Sequence, residues 1–330
     1  MLLISEADVK EALTMANVIE TVMSAYGDYS EKLIEIPSRI TMKVRDESDS
    51  AIFLTANYLS RPFYGIKQAS SFPSNINKEK STVLSDIHLY SADTGELLAV
   101  VSANYLTAIK TGAASAVATK FLAREGDSIL AIIGTGVQAR TQLAGIQKVR
   151  PLEEVRLYDL EKRKVKEFIK YIKIIRNRNY TIKIYNSADE CVYGADIVTT
   201  CTTSTRPVFE GDYISEGTHI NAVGSFTPYM QEIDSKTVVK TKKIIVDSRK
   251  EAWKVAGDLL VPLNEGSIAR SKIFGELGDI VTGKIPGREN EKEITIYESV
   301  GFAALDIALA IAAYQKSLKL GVGTELDWSK

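Results

Sequence analysis

The stretch SILAIIGTGVQARTQ, residues 128–142, decides the fold. An apolar run from Ile129 to Ile133 leads straight into Gly134-Thr135-Gly136-Val137-Gln138-Ala139, and a helix-forming segment follows. This is the spacing Gly-x-Gly-x-x-Gly/Ala between a buried strand and a helix. Gly134 permits the tight turn, Gly136 lets the backbone come close to a pyrophosphate, and the small Ala139 lets the helix pack on its strand. The free N–H groups at the helix N-terminus are the natural seat of that pyrophosphate. A second strand-like run, Glu154–Tyr158, ends on Asp159, 25 positions after Gly134. An acid there accepts hydrogen bonds from the adenosine ribose hydroxyls and repels a 2′-phosphate. Thr135, Val137, Gln138 and Asp159 therefore join the two glycines as dinucleotide-binding candidates, and NAD(H) is the favoured form. Lys162 and Arg163 follow closely and soften that preference, so NADP(H) is admitted.

Working outward, residues 128 to about 250 alternate strand and helix, with strands at 128–133, 154–158, 181–185, 195–201, 218–223 and 243–247. Val165, Phe168, Ile169, Ile172 and Ile175 share one helix face between them. Such alternation specifies a parallel sheet covered on both faces, with ligands at the carboxyl ends of its strands. Those ends carry Thr200-Cys201-Thr202-Thr203 and Ala222-Val223-Gly224-Ser225. Cys201, Thr202, Thr203, Val223, Gly224 and Ser225 are thus cofactor candidates. Upstream, Thr111-Gly112-Ala113-Ala114-Ser115-Ala116 opens a run of small residues within a helix over 104–123. Tight helix packing accounts for it, and close approach of phosphates to Thr111 and Gly112 is the functional reading.

Residues 5–33 read as helices, with Ser5 capping the first through Asp8 and a second from Met15 to Lys32. Pro37 breaks the helical pattern and begins an extended segment. Strands follow at 50–59, 64–71, 83–90 and 96–101, the last two joined by the turn Ala92-Asp93-Thr94-Gly95. This part is a mostly antiparallel β unit with N-terminal helices. Residues 255–290 are irregular, a helical excursion or a rim loop. A strand at 293–298 and a helix from Phe302 to Leu318 end the chain, and that helix has two destinations, the nucleotide unit or the first one.

Composition excludes several classes. At 330 residues with 45% apolar and 25% charged content, the chain is an ordinary globular protein of two domains. A net charge of −1 gives no call for nucleic acid or an acidic membrane. The start MLLISEADVKEAL lacks the basic, then apolar, plan of a signal peptide. The apolar run Val300–Tyr314 is broken by Asp306 and too short to span a bilayer. Cys191 and Cys201 lack Cys-x-x-Cys spacing and suit a reducing cytoplasm. His88 and His219 lack metal-ligand neighbours and read as packing residues, so no metal is expected.

Four motifs taken together, residues 104–123, the Gly134–Ala139 turn, Ile220–Ser225 and Ser299-Val300-Gly301-Phe302-Ala303-Ala304-Leu305-Asp306, resemble the ornithine cyclodeaminase/μ-crystallin family over nearly the whole chain. The resemblance implies an α/β fold in which a Rossmann-like NAD-binding domain, residues 119–299, is inserted into an α+β substrate and dimerisation domain, residues 1–118 plus 300–330. It sends the last helix back to the first domain and implies a homodimer. It marks Arg39 and Lys67 as the catalytic and substrate-binding residues, with Thr82, Lys110, Phe226 and Gly301 around the substrate and Val300 at the cofactor. Arginine can grip a carboxylate bidentately, and a lysine can hold it or deliver a proton to an imine nitrogen.

Two departures from the family pattern choose among its reactions. Most members have arginine where this chain has Lys110, which keeps the charge but loses the planar fork. Cyclodeaminases carry a catalytic aspartate where this chain has Phe226, which can neither accept a proton nor orient water. The expectation is a reductase of a cyclic ketimine, Δ1-pyrroline-2-carboxylate to L-proline, with Δ1-piperideine-2-carboxylate to L-pipecolate beside it. The alternatives are an alanine dehydrogenase, then an ornithine cyclodeaminase, then a binding protein without turnover. The partner in each case is a small imino or amino acid.

Overall fold

The computed structural model describes residues 1–45, 49–78, 80–175 and 180–327. The chain divides into two compact units, Met1–Lys110 with Phe302–Lys330, and Thr111–Gly301.

The first unit opens with β1 (Leu2–Ile4), α1 (Glu6–Ala12) and α2 (Met15–Ser30). Ser5 caps α1 in a reciprocal box: its Oγ accepts from Asp8 N at 3.3 Å, and Asp8 Oδ2 accepts from Ser5 N at 2.8 Å. There follow β2 (Ile34–Glu35), β3 (Ile40–Lys43), β4 (Ser50–Tyr58), β5 (Phe63–Ser71), β6 (Val83–Ser91) and β7 (Leu97–Ser102). The division between the units falls inside α3 (Asn104–Leu122), after Lys110.

The second unit is doubly wound. Its elements are β8 (Ile129–Ile133), α4 (Val137–Val149), β9 (Glu154–Tyr158), α5 (Lys162–Ile175), β10 (Thr181–Ile184), α6 (Ala188–Val192), β11 (Ile197–Thr200), β12 (His219–Ala222), α7 (Ser235–Lys240), β13 (Lys243–Val246), α8 (Arg249–Val255), α9 (Gly257–Asn264), β14 (Ile273–Glu276), α10 (Leu277–Val281) and β15 (Thr295–Glu298). All pairings are parallel, in the order β10-β9-β8-β11-β12-β15-β13-β14. The order reverses between β8 and β11, which is the switch point of the sheet. On α5, Val165, Phe168 and Ile172 are buried and Ile169 packs against the same core. Each such side chain contributes about 1.5–3 kcal/mol over an exposed one. The side chain of Ile175 lies outside the described residues.

The small residues of α3 have a packing role. A Cβ on Gly112 would lie 2.1 Å from the carbonyl oxygen of Thr141 in α4, and one on Gly145 would lie 2.3 Å from Gly112 O. Two helices can approach this closely only where both lack a side chain. Within the irregular stretch 255–290, the structure adds α9, α10 and the edge strand β14. Ile273-Phe274-Gly275-Glu276 carries a glycine and turns into a helix at once, so no alternation marks it. Ile285 packs over Gly275, its Cδ1 2.0 Å from where a Cβ would stand.

The chain returns to the first unit through α11 (Ala303–Leu320) and β16 (Thr324–Glu325). The sheet order is β16-β1-β7-β6-β5-β4-β2, with β3 also on β4. It is antiparallel except where β1 runs parallel to β7, a departure from the antiparallel expectation made by a strand too short to show a pattern. Helix α11 is apolar on nearly every side and lies on this sheet. Gly65 lets it approach, since a Cβ there would stand 2.9 Å from Ile307 Cδ1. Tyr58 seals the contact by donating to Ala304 O at 2.9 Å. Among the described residues, no helix is long and apolar enough to cross a membrane.

Candidate active site

In the Thr111–Gly301 unit, the carboxyl ends of the strands open onto a cavity of about 860 Å3. Gly134, Gly136, Val137, Gln138, Asp159, Cys201, Thr202, Thr203, Val223, Gly224 and Phe226 all line it. Gly134 has φ +89°, and a Cβ there would lie 2.8 Å from Thr202 Cγ2 and 2.9 Å from Cys201 O. Only glycine fits both the conformation and the space. Gly136 stands at the N-cap of α4 with no side-chain cap, and a Cβ there would point into open space. The opening N–H groups of α4 have no intrahelical partner, which makes this concavity an anion seat.

Asp159 is tied into the turn. Its Oδ2 accepts from Thr135 N at 2.7 Å and Thr135 Oγ1 at 3.0 Å, while Oδ1 accepts from Glu161 N at 2.9 Å. A carboxylate offers about four acceptor sites, so Oδ1 keeps one for a ribose hydroxyl. Thr135 is buried and serves Asp159 in this arrangement. Two basic residues line the cavity, Lys164, paired with Glu161 at 2.6 Å, and Arg206, whereas Arg163 pairs with Glu167 at 3.2 Å on the solvent side.

Four further candidates are placed by other contacts. Ser225 is buried and donates to Met230 O at 2.9 Å. Val300 packs on the core, and Gly301, with φ +71°, donates its N–H to Asp247 Oδ2 at 2.6 Å. Gly112 meets α4 as described. His219 is a core residue between Thr295 Oγ1 at 3.0 Å and Asn221 Oδ1 at 3.3 Å, and burial pushes its imidazole down to about 3.

The other unit holds a buried cationic cluster. Lys67 faces α11 from β5, two residues beyond Gly65. Its Nζ donates to Asp306 Oδ1 at 2.8 Å and to Thr107 Oγ1 at 2.6 Å. Lys110 Nζ donates to the other oxygen, Asp306 Oδ2, at 2.8 Å. Lys67 and Lys110 are 4% and 5% exposed and Asp306 is fully buried, so solvent screens little of this. Burial pushes the Lys67 ammonium down to about 8; Asp306 pulls it up and Lys110 pushes it further down. Burial raises the Asp306 carboxyl, but the charges of Lys110 and Lys67 outweigh this and hold it below the usual range. Arg39 is half-buried just ahead of β3. Thr82 is half-buried just ahead of β6, where its carbonyl accepts from Phe72 N at 2.8 Å.

A parallel doubly wound unit with a glycine turn, and a second unit with two buried lysines on one carboxylate, agree with the comparison by sequence. The model of the ornithine cyclodeaminase/mu-crystallin family matches residues 1–320. The chain belongs to this family. It is 37% identical to the Delta(1)-pyrroline-2-carboxylate reductase of Bacillus cereus over 328 residues, covering 99% of this chain and 100% of the relative. The structure of Thermococcus litoralis Delta(1)-pyrroline-2-carboxylate reductase in complex with NADH and L-proline matches with TM-score 0.94 and 38% identity, over 99% and 100% of the two chains. An archaeal alanine dehydrogenase dimer with bound NAD matches with TM-score 0.92 and 30% identity, over 99% of each chain.

Two residues outside the candidate set take part, Asp306 in one unit and Glu232 in the other. Asp306 was visible as the one acid in an apolar helix, which is a signal of a buried charge with a partner. Glu232, whose carboxylate binds the N–H groups of Thr202 and Gly224, gave no comparable signal.

Proposed function

We propose that the chain is an NADH-dependent reductase of a cyclic ketimine, converting Δ1-pyrroline-2-carboxylate to L-proline, with NADPH as a weaker donor. The observation that carries this reading is the buried pair of ammonium groups, Lys67 and Lys110, on the single carboxylate of Asp306. Such a cluster carries net positive charge in a dry setting and suits a small anionic substrate. The full-length likeness to two Δ1-pyrroline-2-carboxylate reductases supports it.

The dinucleotide fits the residues present: open space over Gly136, free N–H groups at α4, and an acceptor on Asp159. When bound, NADH supplies the hydride that reduces the imine carbon. Lys110 and Arg39 hold the substrate carboxylate. Lys67 spends two of its three N–H bonds on Thr107 and Asp306, and the third delivers the proton to the imine nitrogen. One hydride on carbon and one proton on nitrogen give the amine, and Lys67 is reprotonated from water. Phe226, at the cofactor cavity, cannot supply the carboxylate that a cyclodeamination needs.

The assembly we propose is a homodimer in the cytoplasm. Ile40, Met42, Tyr64 and Leu84 lie, by register, on the sheet face opposite Gly65 and Lys67, and all four are exposed. An uncovered apolar sheet face of this kind is a partner surface. The test of function is NADH consumption by purified protein with the cyclic imine, and with pyruvate plus ammonium. Consumption with the imine alone supports the reductase. Consumption with pyruvate plus ammonium alone makes the protein an alanine dehydrogenase, and consumption with neither makes it a binding protein.

A further inference from the structure

We propose that Glu232 is a positioning residue for the nicotinamide half of the cofactor: a carboxylate hook that holds the loops after β11 and β12 at one fixed spacing. This rests on the reading of the Thr111–Gly301 unit as an NAD(H) site. Glu232 lies between β12 and α7 and is fully buried. Its Oε1 accepts from Thr202 N at 2.5 Å and its Oε2 from Gly224 N at 2.8 Å. Thr202 follows β11 and Gly224 follows β12, and both line the cavity. One side chain thus fastens the two strand ends on the far side of the switch point from Asp159. In a doubly wound sheet the adenosine half lies along the strands near Asp159, and the nicotinamide half crosses these other ends.

The packing around the hook leaves no slack. A Cβ on Gly224 would lie 2.4 Å from Thr202 O and 2.5 Å from both Cδ and Oε1 of Glu232. Gly224 is glycine because the carboxylate sits directly behind it. The hook is itself anchored: Asp258, in the first turn of α9, accepts from Glu232 N at 2.6 Å and Ile233 N at 2.9 Å through one oxygen, Oδ1.

The neighbouring acids differ in a way that makes the inference testable. Glu232 accepts a backbone N–H at each of its oxygens, an arrangement that favours the charged form. Asp258 uses one, and its Oδ2 has no hydrogen-bond partner among the described residues. Glu298, at the end of β15, has none at either oxygen. Burial pushes Asp258 up to about 8, with the charge of Glu232 adding to it, and pushes Glu298 well above the carboxylate range. Burial raises the Glu232 carboxyl as well, but the hydrogen bonds from Thr202 and Gly224 pull it part of the way back down, so of the three acids Glu232 is the one whose partners receive a negative charge.

A glutamine at 232 can accept at only one of its two ends; its NH2 faces a backbone N–H and repels it. An asparagine at 258 still offers the one oxygen that is used. The experiment measures dissociation constants of NADH and of 5′-AMP for the wild-type protein, Glu232→Gln and Asp258→Asn, with NADH fluorescence and calorimetry. Losing a hydrogen bond to a charged group corresponds to roughly tenfold to a hundredfold in affinity. Glu232→Gln is expected to weaken NADH by that factor and to leave 5′-AMP within about twofold, since AMP engages only the adenosine side. Asp258→Asn is expected to leave both ligands near wild type.

Equal loss of NADH and AMP, unchanged NADH binding in Glu232→Gln, or an equal defect in Asp258→Asn overturns the hook. Should Glu232→Gln not fold, Gly224→Ala displaces the same carboxylate and must give the same split between NADH and AMP. Wild-type protein that binds neither ligand overturns the NAD(H) reading itself, and the role of the hook with it. Failure of imine turnover alone touches neither.

Discussion

The Nζ of Lys67 stands 2.8 Å from Oδ1 of Asp306 across 239 residues of sequence, and both side chains are buried. Two residues before Lys67, Gly65 leaves room for the Ile307 side chain of α11, whose Cδ1 would lie 2.9 Å from a Cβ there. Asp306 also holds Lys110 on its second oxygen, so one carboxylate balances two ammonium groups. The net positive charge of the cluster follows from this arrangement, and burial, reinforced by Lys110 and opposed by Asp306, makes Lys67 more acidic.

Burial pushes Lys67 down to about 8, and in the proposed mechanism its protonated form is the proton donor. Reduction is therefore retained below that pH and falls as pH rises through it. A pH profile of kcat/KM for the imine is expected to show this limb. Lys67→Met should lose turnover by at least about a hundredfold, the lower end of general-acid contributions, while binding NADH as wild type does. Full activity in that variant removes Lys67 from the mechanism.

Asp306→Asn removes the charge that pulls the Lys67 ammonium upward, leaving burial and Lys110, which both push it down. The activity limb should move below pH 8. Breaking a buried pair costs about 3–5 kcal/mol while the lysines stay charged. Between the lowered value and the ordinary lysine range the unfolded chain binds more protons than the folded one, so the variant's stability rises with pH. Urea unfolding at several pH values checks the sign; a variant as stable as wild type at acidic pH contradicts it.

Lys110→Met predicts the opposite shift. The like charge that pushes Lys67 down is gone, so the limb should move above pH 8. If Lys110 holds the substrate carboxylate as proposed, KM for the imine should rise roughly tenfold to a hundredfold. NADH affinity should not change. Steady-state kinetics across pH tests both parts at once.

The two glycines of the turn should fail differently when changed to alanine. At Gly134, φ is +89° and a Cβ would crowd Thr202 and Cys201, so Gly134→Ala should lower the melting temperature as well as NADH affinity. At Gly136 the backbone is extended and the space is open, so Gly136→Ala should melt like wild type yet bind NADH weakly. Equal melting of the two variants would count against this reading of the turn.

Much of this architecture is legible in the sequence, and the exceptions have physical causes. The long alternating segments of the second unit, the Ser5–Asp8 cap and the glycine turn are local patterns, written in neighbouring residues. Strands β1 and β14 are too short to carry a period, and Gly275 interrupts one of them. Lys67, Lys110 and Asp306 lie on three elements far apart in sequence. Their types are visible, but the sharing of one carboxylate exists only once α11 lies on the sheet. Glu232 is the clearest case: its function is to bind two backbone N–H groups, and backbone partners leave no trace in side-chain identity.

In the proposed reaction, hydride from NADH reaches the ring carbon of a cyclic imine whose nitrogen takes its proton from the protein. The most direct measurement supplies Δ1-pyrroline-2-carboxylate with NADH deuterated at the transferred position and identifies the product by mass spectrometry and chiral chromatography. L-Proline carrying one deuterium at Cα is the predicted result. Deuterated alanine from pyruvate and ammonium, with no labelled proline from the imine, would contradict it.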